Sequence, residues 1–65
     1  MSKMSLRAAR VDAGFTMQDV AERLNVNENT VSAWERGRSD PRAKQVSEML
    51  KMYGRKFEDI DFSCP

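Results

Sequence analysis

The chain has 65 residues, with eleven Lys and Arg against ten Asp and Glu, a net charge of +1. At this length only about 60% of the unfolded surface can be buried, so one small core is expected. With no histidine and one cysteine there is no imidazole for general acid–base work, no Cys/His zinc set and no internal disulfide, and no apolar run approaches the ~20 residues of a membrane span.

These exclusions lead to a cytoplasmic protein, not an enzyme, with no cofactor, metal or small-molecule substrate. Cys64 reads as an incidental thiol near a frayed end, with an intermolecular disulfide as the alternative. The near-zero net charge is a weak signal of a polyanionic partner, so the distribution of charge must carry any such argument. Arg36, Arg38, Arg42 and Lys44 face Asp40 alone in the middle, whereas Glu58, Asp59 and Asp61 make the end acidic.

Met1 to Met4 read as a loose arm, with Lys3 solvated. A first helix is expected over 5–13, with Leu6, Ala9, Arg10 and Ala13 at i, i+3, i+4 and i+7, Ser2 or Ser5 as N-cap and Gly14 just past its end. Phe15 packs into the core. Thr16 then caps a second helix, with Asp19 as its capping-box partner. Val20, Ala21 and Leu24 form that helix's apolar face. Asn25 tolerates a left-handed turn. Asn27 caps a third helix whose apolar positions are Val31 and Trp34, and Gly37 suits its end.

Helices this short are stable only when packed on each other. Ala21 is small where they must approach, and Val20, Leu24, Val26, Val31 and Trp34 can form a shared wedge. The outer face of the third helix is then Glu28, Asn29, Ser32, Ala33 and Arg36. It is short-chained and polar, suited to entering a groove and touching polar edges. Asp40 and Pro41 read as N-cap and first residue of a fourth helix running to Met52 or Tyr53. Its stripe is Val46, Met49, Leu50 and Tyr53, and Gly54 ends it. Met49 and Met52 read as core filler and edge contact. Phe57 and Ile60, at i and i+3, cover the core's open end. That leaves Phe62 exposed near the terminus, which suggests a partner, most simply a second copy.

The stretch from Met17 to Gly37 resembles the helix-turn-helix of the phage repressor and Cro family. The residues that carry the likeness are Ala21, Asn25 (a position usually glycine), Val31 and the run Trp34-Glu35-Arg36-Gly37, with Arg10 before and Asp40-Pro41 after. The resemblance covers residues 6 to 60. It implies an all-α, compact bundle of four to five short helices, a last single-turn helix near Phe57, and one domain over the whole chain, with a core at about 5–61. No repeat, linker or separate effector domain is visible.

The resemblance also implies roles. Arg10 lies on an apolar stripe, where a guanidinium needs a partner. In relatives that partner is the Glu matching Glu35, which gives a structural ion pair; a phosphate contact is the competing reading. Base contacts carry over to Glu28, Asn29, Ser32 and Ala33. Asn suits adenine, Glu suits cytosine N4, and the Ala methyl suits thymine. Phosphate contacts are expected from Asn27, Thr30, Arg36, Arg38 and Arg42, and from the second helix's N-terminus. Relatives often carry Gln where this chain has Met17, so Gln18 or the backbone takes that contact. Arg7 and Arg23 read as solvated.

The function expected is sequence-specific binding of double-stranded DNA by a transcriptional regulator, most simply a repressor of phage, plasmid or bacterial genes. It would act as a homodimer on a palindromic site, with Phe57, Ile60 and Phe62 in the dimer contact. The alternative is an antitoxin-like or adaptor protein-binding module of the same fold.

Overall fold

Each apolar stripe read from the sequence lies on a helix in the computed structural model, which describes residues 3–62. The helices are α1 (Leu6–Asp12), α2 (Met17–Leu24), α3 (Glu28–Glu35) and α4 (Ala43–Tyr53), followed by a 3-10 turn (Phe57–Asp59). Cys64, and Ser2 as a candidate cap, lie outside the described residues.

Side chains open the first three helices as expected. Ser5 Oγ accepts from the Ala8 N–H at 3.0 Å. Thr16 and Asp19 exchange bonds as a capping box, at 3.0 and 2.9 Å. The Thr16 backbone N–H donating to Asp19 holds that carboxyl below its usual range. Asn27 Oδ1 accepts from the Asn29 N–H at 2.8 Å.

The helices also share one way of stopping. The second N–H past each helix's αR end reaches back five residues, from Phe15 to Arg10, Val26 to Ala21, Arg38 to Ala33 and Arg55 to Leu50, at 2.9–3.1 Å. In each case the residue just before that donor has positive φ: Gly14, Asn25, Gly37 and Gly54. This is the 6→1 bond of a Schellman turn.

Leu6, Ala9, Val20, Ala21, Val31, Trp34, Met49, Tyr53 and Ile60 form the core, and Phe15, Leu24, Val26 and Leu50 are half-buried at its edge. Full burial of a valine or leucine side chain contributes about 1.5–3 kcal/mol. In a domain this small the loss of one such residue is therefore a large fraction of total stability.

Two charged residues share this interior. Arg10 and Glu35 are each 8% exposed. Arg10 Nε donates to Glu35 Oε2 at 2.7 Å, Nη2 to Oε1 at 3.4 Å, and Nη1 to the Phe15 carbonyl at 2.8 Å. The fork thus joins α1, the α1–α2 loop and the last residue of α3. The ion-pair reading of Arg10 holds.

Five expectations need correction. The arm at Met4 is not loose: Met4–Ser5 (β1) pairs in parallel with Ile60–Asp61 (β2), Met4 opposite Ile60. Two residues give no readable alternation, so no period-2 signal was available. Asp40 does not cap α4, nor is Pro41 its first residue. The N-cap is Arg42, whose N–H donates to Gln45 Oε1 at 2.8 Å. The first buried residue of this helix is Met49, and the helix starts two residues later than Asp40-Pro41 implies.

Phe57 does not cover the core; it is 64% exposed and stacks on Phe62, ring centroids 5.2 Å apart. Phe62 is accordingly half-buried rather than free. Ile60, 2% exposed, belongs to the core and is unavailable as a surface contact.

Tyr53 is buried beside the ion pair, and its hydroxyl has no hydrogen-bond partner among the described residues. Burial, reinforced by the Glu35 charge and opposed by Arg10, pushes its pKa above the ordinary 10.0.

Arg10→Met leaves the Glu35 carboxylate buried without a partner and should cost about 3–5 kcal/mol. The double variant R10M/E35M should recover most of that in urea denaturation. Equal losses in the two would show that the cost does not come from an orphaned charge.

Tyr53 gives a pH prediction. A raised folded-state pKa means the unfolded chain loses the phenolic proton first as pH climbs. Stability from this group is whole below pH 10 and falls above it. Tyr53→Phe should remove that component of the alkaline decline and, by deleting an unsatisfied hydroxyl, cost little at neutral pH. The chain holds one tyrosine, so phenolate absorbance reports this residue alone.

Candidate nucleic-acid interface

The joint between α2 and α3 is very short. Asn25 at φ 56°, ψ 48° ends α2, Val26 follows, and Asn27 at φ −79°, ψ 149° already caps α3. A left-handed residue two positions before an extended cap turns the chain within three residues. Asn25 is the one described non-glycine residue with positive φ; its short amide side chain tolerates that conformation better than most. Ala21 at 5% exposure and Val20 and Val31 at 0% fill the contact between the two helices, where a larger residue than Ala21 would push them apart.

With Val31, Trp34 and Glu35 turned inward, the rest of α3 faces out. Glu28, Asn29 and Arg36 are exposed, and Ser32 and Ala33 are half-buried. The rows Glu28–Ser32–Arg36 and Asn29–Ala33 are i, i+4 neighbours, so the five side chains form one polar strip. Among the phosphate candidates Gln18, Asn27, Arg38 and Arg42 are exposed and Thr30 is half-buried. Arg36, Arg38 and Arg42 enter no ion pair among the described residues. Asn27 spends its Oδ1 on the cap, which leaves its side-chain NH2 free to donate.

Beside this strip lies an open cleft of about 470 Å³ between α1, the start of α2 and the end of α3. Ser32 and Arg36 line it from α3, Met17 from α2, and Arg7 from α1. Sequence alone reads Arg7 as a solvated surface charge. The signal that could have found it is helical: Arg7 lies three residues before Arg10, on the side of α1 that faces α3.

A mostly helical body presenting a short polar helix after a tight left-handed turn is a helix-turn-helix DNA-binding domain. The helix-turn-helix family model matches residues 6–60. The chain is 36% identical over 58 residues to an uncharacterised HTH-type transcriptional regulator of Methanocaldococcus jannaschii, covering 89% of this chain and 88% of that protein. It is 35% identical over 48 residues to the HTH-type transcriptional regulator ImmR of Bacillus subtilis, covering 74% of this chain and 38% of the relative. It is 32% identical over 54 residues to the cryptic phage CTXphi transcriptional repressor RstR of Vibrio cholerae, covering 83% of this chain and 49% of the relative. This chain thus spans most of the archaeal relative and less than half of each of the other two. No solved structure is significantly similar to it.

The chain belongs to the helix-turn-helix family of DNA-binding transcriptional regulators, which are not enzymes. No described helix is long and apolar enough to cross a membrane.

The turn can be tested apart from DNA. Asn25→Gly keeps the left-handed geometry and should change stability by less than about 1 kcal/mol, whereas β-branched Asn25→Val should cost roughly 1–2 kcal/mol or more. Thermal unfolding of the two variants separates these outcomes; similar melting points for both would refute strain at this position.

Proposed function

We propose that the protein binds a specific double-stranded DNA site by laying α3 in the major groove, and that it represses transcription from phage, plasmid or bacterial genes. The observation that carries this reading is the outward strip of α3. It combines exposed hydrogen-bonding side chains with a helix held rigidly from behind by Val31, Trp34 and Glu35. A helix about 10–12 Å across fits a major groove about 12 Å wide.

In this reading Asn29 pairs with adenine, Glu28 accepts from cytosine N4, Ser32 bonds to either edge, and the Ala33 methyl meets a thymine methyl. Gln18, Asn27, Thr30, Arg36, Arg38 and Arg42 hold the sugar-phosphate strands on either side, which sets register without reading sequence. Repression is supported by the phage repressor among the relatives.

A homodimer on a palindromic site completes the reading. Single domains of this size bind modestly, and two half-sites one helical turn apart, about 34–36 Å, are the usual remedy. Phe57 and Phe62 offer the contact, without Ile60. The stacked ring pair lies beside an apolar groove lined by Pro41, Val46 and Leu50. The same exposed Phe57 favours the second reading, an adaptor or antitoxin-like module that binds another protein.

Selection of bound duplexes from a random pool, at stated salt, tests both. A palindromic consensus supports the dimeric regulator. The double variant N29A/S32A should lose discrimination between the selected site and random duplex while keeping its non-specific, salt-sensitive binding, because each good base contact is worth about 1–3 kcal/mol. Unchanged discrimination in that variant would remove α3 from the recognition role.

A further inference from the structure

The cleft between α1 and the end of α3 has a charge balance that the family comparison does not assign. Of its three guanidinium groups one is neutralised internally: Arg10 bonds both oxygens of Glu35 and the Phe15 carbonyl. No free carboxylate lines it. Arg7 and Arg36 remain, both exposed and both without an ion pair among the described residues. Ser5 and Ser32 add hydroxyls; Ser5 Oγ accepts from Ala8, which leaves its O–H free to donate. The cleft is therefore a set of donors with an uncompensated charge of two, open to solvent, beside the outward strip of α3.

We propose that this cleft seats a phosphodiester of the DNA strand flanking α3, and that Arg7 of α1 is a positioning residue of the interface, acting with Arg36. The inference rests on the groove-binding reading above. A helix that nearly fills the major groove has a phosphate row against each flank. The flank bearing Ser32, Glu35 and Arg36 opens onto this cleft. A bare Glu35 there would repel the strand; pairing with Arg10 cancels that charge and leaves the two arginines to attract. Because α1 and α3 are joined by that pair, a strand gripped by Arg7 and Arg36 is held at a fixed depth relative to α3.

The test is the salt dependence of binding to a duplex containing the selected site. Each phosphate neutralised contributes about 0.9 to the slope of log K against log salt. Arg7→Gln should flatten the slope by roughly that amount, so that going from about 50 to 200 mM salt weakens it about threefold less than the parent. The preference for the selected site over random duplex should be unchanged. Arg23→Gln, an exposed arginine at the far end of α2, should leave the slope alone. Arg7 is exposed, so R7Q should fold; its melting curve checks this.

A slope unchanged by R7Q, or reduced equally by R23Q, overturns the assignment while groove binding stands. A parent that binds no duplex overturns both readings. Titration with inorganic phosphate at constant ionic strength is the second arm: a saturable shift of the Arg7 Nε resonance combined with an unchanged R7Q slope would make the cleft a free-anion site rather than a strand contact.

Discussion

The ion pair between Arg10 and Glu35 is the constraint on which the rest of the molecule depends. It is the one described pair of opposite charges drawn into the core, and it bridges the first helix and the last residue of the third. Burying two charges carries a large desolvation cost that the geometry must offset, and here the third bond, to the Phe15 carbonyl, helps to do so. A buried pair of this kind stabilises little relative to a well-packed apolar substitute. What it adds is a directional link between α1 and the last residue of α3, through two bonds from the fork to one carboxylate.

The same pair shapes the surface. Glu35 sits on the shoulder of α3, where an unpaired carboxylate would oppose any polyanion approaching the polar strip. Arg10 silences it from inside. The net charge of +1 therefore conceals a marked asymmetry. Arg36, Arg38 and Arg42, without ion pairs among the described residues, follow α3, and the acidic side chains of Glu58 and Asp59 lie in the 3-10 turn near the end of the chain. Arg55, by contrast, is held by Asp12 and ties the end of α4 to the end of α1.

Much of this was legible beforehand because it is local. A cap needs a Ser, Thr or Asn at one position and a free N–H two or three residues on, and Ser5, Thr16 and Asn27 meet that condition in sequence alone. The left-handed stop at Asn25 and the stripes of α1 to α4 are local in the same sense. The Arg10–Glu35 partnership spans 25 residues and was reached through family likeness rather than periodicity. The start of α4 was misplaced because Asp40-Pro41 is a sound local signal. A better offer, Gln45 accepting from the Arg42 N–H, prevailed once packing set where the helix had to begin.

The order of the residues thus dictated where helices start, turn and stop, which faces are apolar, and that α3 would be polar outside, because all of these follow from short-range sterics, hydrogen bonding and burial. Folding in three dimensions was needed to pair Met4 with Ile60, to stack Phe57 on Phe62 rather than on the core, and to bring Arg7 to the same cleft as Arg36. Those outcomes depend on distances between segments far apart in the chain. No repeat or spacing encodes such distances; they are fixed only when the helices compete for one small interior.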